Sequence, residues 1–148
     1  SVFGALPGEG RWATALLIDG NIGIGGDPVA LLRRVAELLR PAGVVLVELD
    51  APGAPTEVVT VRMSTAGDDA EDDATPPRRP PLRLHRRKGE PLRSRNIRPK
   101  HVGPWFPWAR VGADGWQRIS REAGLTTTSL VELGGRWFAQ ASAPLSPH

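Results

Sequence analysis

From Trp12 to Ile18 the sequence is an unbroken apolar run that stops at Asp19 and gives way to Gly20-Asn21-Ile22-Gly23-Ile24-Gly25-Gly26. A glycine loop that follows a strand is the arrangement by which main-chain amides cradle phosphate. Here no Gly-Lys-Ser/Thr follows, and the spacing is not Gly-x-Gly-x-x-Gly. A tight strand-to-helix turn therefore accounts for the loop better than direct phosphate binding does. Asp19 keeps two readings open. It is either a turn residue bonding its own backbone, or a polar group at the carboxyl end of a strand, where open α/β sheets place their ligands.

The second cluster is Trp105-Phe106-Pro107-Trp108-Ala109-Arg110. Trp105, Phe106, Trp108 and Arg110 could line a substrate pocket, but anchoring the chain by packing where it returns from the insertion accounts for them better. His85, His101 and His148 are read as solvated, and neither a Gly-x-Ser-x-Gly nor a Ser/His/Asp set is present. With no cysteine and no paired histidines, no metal site is expected, and disulfide frameworks and cysteine nucleophiles are excluded. Arg78 to Arg98 holds nine arginines or lysines, followed by Lys100, with no aromatic among them. Single-strand binders usually interleave stacking rings with charge, so a nucleic-acid-interacting arm over residues 78–100 is the alternative function rather than the first.

The net charge of +3 is unevenly spread: Ser64 to His101 carries 10 basic against 6 acidic residues, and the remainder 9 against 10. The remainder is thus near neutral, and the high isoelectric point belongs to one segment. A chain of 148 residues with 40% apolar content suits one core. No stretch approaches a membrane span and the first residues lack a signal-peptide pattern, so a cytoplasmic protein is expected.

The elements that must position these residues follow from patterning. Trp12 to Ile18, without alternation, predicts a strand covered on both faces in a parallel sheet. Asp27 and Pro28 suit the N-cap and first position of a helix running to Arg40, with Leu31, Val35, Leu38 and Leu39 inward and Arg33, Arg34, Glu37 and Arg40 in water. Pro41-Ala42-Gly43 ends it, and Val44 to Leu49 is a second strand, completing a βαβ unit. Glu57 to Arg62 reads as a short strand or an extension of the second. Ser64 to His101 cannot bury enough apolar area to offset its ordering entropy, so it is expected to be a disordered insertion or long loop. Asp114 to Ala123 predicts a helix with Trp116, Ile119 and Ala123 inward. Thr126 to Leu133 and Arg136 to Ser142, around Gly134-Gly135, predict a hairpin. The expected segments are 1–63, a βαβ unit; 64–101, the insertion; and 102–148, helix plus hairpin.

Three stretches in this order carry a family resemblance. Leu16-Leu17-Ile18-Asp19-Gly20-Asn21 looks like the end of the fourth strand of class I S-adenosylmethionine-dependent methyltransferases. Leu38-Leu39-Arg40-Pro41-Ala42-Gly43-Val44-Val45-Leu46-Val47 looks like their helix-to-fifth-strand junction, with Ala42 replacing the first of two glycines. Asp114 to Phe138 looks like their carboxyl end. Asp19 to Pro28 and Trp105 to Gly112 also resemble a group of actinobacterial-type methyltransferases. The resemblance implies an α/β, Rossmann-like partial sheet equivalent to strands four to seven, ending in an antiparallel hairpin. The fold class expected is therefore a methyltransferase half-domain with a long insertion.

The same resemblance implies S-adenosylmethionine as cofactor and a small-molecule methyl acceptor. Asp19 and Asn21 would act at the reacting centre, with Asp19, Gly20 and Ile22 against the cofactor and Trp105, Phe106 and Arg110 against the acceptor. Methyl transfer from a sulfonium needs positioning above all, and a general base only where the acceptor must lose a proton. The family's first strand with its Gly-x-Gly-x-Gly turn, followed by an acidic residue about 20 positions on, does not occur upstream of Trp12. The expectation is a fragment that binds the cofactor poorly alone, with a second chain as one source of the missing half-sheet.

Overall fold

The computed structural model describes residues 1–65, 83–86 and 101–145. In chain order the elements are β1 (Trp12–Leu17), α1 (Pro28–Leu38), β2 (Leu39–Leu49), β3 (Glu57–Thr65), β4 (Arg83–Arg86), β5 (His101–Val102), β6 (Phe106–Arg110), α2 (Trp116–Glu122), β7 (Thr126–Leu133) and β8 (Arg136–Ser142). The chain divides into two compact units, Ser1–Val58 with Trp108–His148, and Val59–Pro107.

The first unit is built on a four-stranded sheet in the order β1-β2-β8-β7. β1 and β2 are parallel, as a βαβ unit requires, and β8 and β7 run antiparallel to their neighbours. This is the α/β partial sheet with a terminal hairpin that the sequence predicts. β7 and β8 begin and end where the pattern around Gly134-Gly135 places them.

α1 forms because Asp27 accepts a hydrogen bond from the Ala30 amide at 2.9 Å and Pro28 occupies the first turn. Its face of Leu31, Leu32, Val35 and Leu38 is buried, as are Trp116 and Ile119 of α2. Both helices pack on one side of the sheet, against Leu17 of β1, Val45 and Val47 of β2 and Ala139 and Ala141 of β8. Arg34 departs from its expected place in water. It donates to the Val2 and Gly4 carbonyls at 3.0 and 2.7 Å and pairs with Glu37 at 2.9 Å and with Glu9, so it ties the amino-terminal segment to the helix. The Arg33 guanidinium likewise donates to the Glu122 carbonyl at the end of α2, at 2.9 Å.

Two expectations about these elements are corrected. The helix ends at Leu38 rather than Arg40, because Leu39 is already extended and pairs with Trp12. Gly43 fits only as glycine there: a Cβ would stand 2.9 Å from the Arg40 carbonyl oxygen. β1 is not covered on both faces. It is the end strand of the sheet, paired on one side only, and Thr14 and Leu16 are exposed because both helices lie on the opposite face.

In the second unit β3 lies between β4 and β5, antiparallel to both. β3 is a strand in its own right, settling the choice left open for Glu57 to Arg62. Within the stretch expected to be a disordered insertion or long loop, β4 pairs Arg83–Arg86 with Val61–Ser64. Ladder pairing uses main-chain groups, so an arginine-rich composition does not prevent it. The remainder of that expectation, including most of the basic run 78–100, lies outside the described residues.

Candidate functional site

The carboxyl end of β1 is shaped by two consecutive left-handed residues, Asp19 at φ 55° and Gly20 at φ 79°, which turn the chain sharply off the strand. Asn21–Gly23 then forms one turn of 3-10 helix, closed by bonds from the Gly23 amide to the Gly20 carbonyl at 2.9 Å and from the Ile24 amide to Asn21 at 3.2 Å. Gly23 is required by packing, since a Cβ there would collide with the Ala109 carbonyl and the Trp108 indole. Ile24 also bridges to Trp108. The glycine loop is thus wedged against β6, which supports the turn reading over a phosphate cradle.

Asp19 is held by side chains distant in sequence. Its amide donates to Glu48 Oε2 at 2.8 Å, and its carboxylate accepts from Arg136 Nη2 at 3.1 Å. Arg136 grips Glu48 with both arms of its fork, Nε to Oε1 at 2.7 Å and Nη2 to Oε2 at 2.6 Å, a charge-assisted bidentate pair. The guanidinium also lies over the Phe138 ring, 5.4 Å from its centroid. Hydrogen bonding from Arg136, reinforced by the Asp19 amide, holds the Glu48 carboxyl below the ordinary glutamate range against the opposing effect of desolvation. The Arg136 guanidinium is correspondingly pushed up, first by its bonds to Glu48. The Asp19 side chain remains 86% exposed, whereas Glu48 is 17% exposed.

The predicted residues fall out unequally. Asp19, Gly20 and Asn21 share the turn, with Asp19 and Asn21 exposed. Ile22 is buried in the core, which leaves only its main chain for a ligand. Arg110 belongs to the same unit and is engaged by Asp50, Nε to Oδ2 at 2.9 Å. Trp105 and Phe106 belong to the second unit, where the Arg62 guanidinium lies 4.7 Å from the centroid of the Trp105 ring system. Sequence reasoning missed Glu48 and Arg136. The readable signal was Glu48 itself, the lone charge in the apolar run Val44 to Leu49. Among the described residues no group of three or more His, Asp or Glu is placed to hold a metal, and no helix is long and apolar enough to cross a membrane.

The structure is similar to that of the 1,6-didemethyltoxoflavin-N1-methyltransferase of Burkholderia thailandensis, solved with 1,6-didemethyltoxoflavin and S-adenosylhomocysteine. The TM-score is 0.51 at 13% identity, over 94% of this chain and 47% of the other. The chain carries part of the class I methyltransferase fold. Other methyltransferase structures match at lower scores. One is a SAM-dependent enzyme from Bacteroides fragilis with S-adenosyl-L-homocysteine, at TM-score 0.48 and 17% identity, covering 91% of this chain and 49% of that one. Another is a SAM-bound amino pentose methyltransferase from Micromonospora echinaspora, at 0.47 and 15%, covering 95% and 61%. The chain therefore spans about half the length of the first two and less than two thirds of the third. No family model and no curated protein matches the sequence. Within this methyltransferase fold the Asp19 turn lies at the carboxyl end of a parallel strand, where such sheets receive their ligands.

Proposed function

We propose that the protein works as an S-adenosylmethionine-dependent methyltransferase on a small-molecule acceptor, with the Asp19 turn as its ligand-facing element. The observation that carries this is an exposed carboxylate on a left-handed turn at the carboxyl end of β1. The amide and the carboxylate of Asp19 are each held by a charged partner.

The residues present suit one end of the cofactor. Asp19 and Asn21 offer exposed polar groups and Gly20 offers main chain that a ligand can approach closely, so these three would hold it. When bound, the cofactor supplies a methyl group already activated on a sulfonium. What this chain contributes is orientation: Asp19 accepts a hydrogen bond from a hydroxyl or ammonium, and Asn21 can donate as well as accept. The exposed edge of β1 supports a further proposal, that additional strands complete the sheet there, from another polypeptide or another part of the same one.

The test is a titration of S-adenosylhomocysteine to millimolar concentration into the full chain labelled with 15N, followed by amide shifts. Weak binding is expected, with the largest shifts at Asp19, Gly20 and Asn21. Shifts confined to other regions, or none at any concentration, would overturn the assignment. Micromolar affinity would show that the described half-sheet needs no completion.

A further inference from the structure

The terminal hairpin does more than close the sheet. β8 lies beside β2 and antiparallel to it, so its first residue, Arg136, arrives at the same end of the sheet as the carboxyl ends of β1 and β2. The register sets Glu48 opposite Phe138, and Arg136, two residues away along β8, projects from the same face. Three adjacent strands therefore contribute one group each to a single network: Asp19 after β1, Glu48 from β2 and Arg136 from β8. Their separations of 29, 88 and 117 positions along the chain exclude a local turn motif as its cause.

We propose that Glu48 and Arg136 are positioning residues that hold Asp19 in its left-handed conformation and aim its carboxylate past the sheet edge. The argument begins with strain, because a residue with a Cβ resists positive φ and persists there when its surroundings over-determine it. Glu48 Oε2 receives the Asp19 amide at 2.8 Å, which fixes the peptide orientation that this φ demands. Arg136 then fixes Glu48 through two bonds and takes one oxygen of Asp19 through a third. The arrangement spends the fork of Arg136 on Glu48 and leaves the Asp19 side chain open to solvent. Two carboxylates against one guanidinium leave a net negative group, suited to a ligand that brings a hydrogen-bond donor or a cationic nitrogen. Its functional meaning rests on the reading of Asp19 as a ligand-facing residue.

The test follows the Asp19 amide in the full chain, in wild type, Arg136→Gln, Arg136→Lys and Glu48→Gln. In wild type the amide should be protected from exchange and its shift should titrate with Glu48, at a midpoint below that of an ordinary glutamate. Arg136→Gln should speed its exchange about tenfold or more, the loss expected for a bond to a charged group, and move the midpoint up. Arg136→Lys should recover part of both, and Glu48→Gln should remove the step whose midpoint Arg136→Gln moves. Exchange and midpoint unchanged in Arg136→Gln would overturn the proposal. So would equal acceleration of amides throughout β2 and β8, which would mark the pair as holding the hairpin alone. No ligand enters this measurement, so its failure leaves the methyltransferase reading standing. Failure of the cofactor titration, in turn, leaves the clamp to be judged by exchange.

Discussion

Asp19 is held from two strands at once, its amide by Glu48 of β2 and its carboxylate by Arg136 of β8. Glu48 and Arg136 are 88 residues apart, and nothing in local composition joins them; only the order β1-β2-β8 does. The pair also has a consequence for acid stability. The folded-state pKa of Glu48 is depressed, so its contribution is fully present above the ordinary glutamate value near 4.5 and is lost as the pH falls through the depressed value. The raised value of Arg136 acts only at extreme alkaline pH, where it would be lost on deprotonation. Urea titrations of wild type and Arg136→Gln should therefore differ most at neutral pH, the gap narrowing as the pH falls below the ordinary glutamate value. Some gap should persist, because the guanidinium also lies over the Phe138 ring. A gap as wide at low pH as at pH 7 would show that the ion pair is not its source.

At the level of elements, legibility followed how much of each signal is local. α1 was readable from Asp27-Pro28 and its apolar stripe, and the hairpin from Gly134-Gly135 between Thr126–Leu133 and Arg136–Ser142. Each of these carries its own start or stop signal. The end of α1 was not readable, because it depends on Leu39 pairing with Trp12 across the sheet. β4 was hidden for another reason: its composition argues against burial, while its pairing needs only main chain. The junction after α1 also contains a local conflict. Ala42 sits at φ 58°, a conformation that costs an L residue about 1–2 kcal/mol. Ala42→Gly should remove that cost, offset in part by greater freedom of the unfolded chain, for a net gain of up to about 1 kcal/mol. Chemical denaturation measures it, and a loss of stability would show that the alanine methyl makes a packing contribution larger than the strain. The neighbouring substitution Gly43→Ala should instead destabilise, since its Cβ would press on the Arg40 and Trp12 carbonyls at 2.9 and 3.0 Å.

Across the whole first unit the sheet has one finished face and one open one. The helices cover the face of Leu17, Val45, Val47, Ala139 and Ala141. On the other face Leu16 is 62% exposed, Val131 42% and Leu133 64%. The sequence announced the apolar character of β1 but could not say which side would be covered, because a run without alternation is the same whichever neighbour it meets. β1 is also an edge, and Trp12–Leu17 contains no charge and no proline, the residues that usually keep an edge strand from pairing with another chain. The full chain should therefore self-associate with rising concentration, through β1 and the apolar face beside it. A lysine at the edge opposes such pairing, so Leu16→Lys should shift sedimentation velocity profiles toward the smaller species at equal concentration. Leu145→Lys, at an equally apolar and more exposed position beyond the last strand, should leave them unchanged. Equal effects of the two substitutions would point to general solubility instead of the edge. A wild-type profile independent of concentration would show that the edge, although unprotected by charge, does not recruit a second copy.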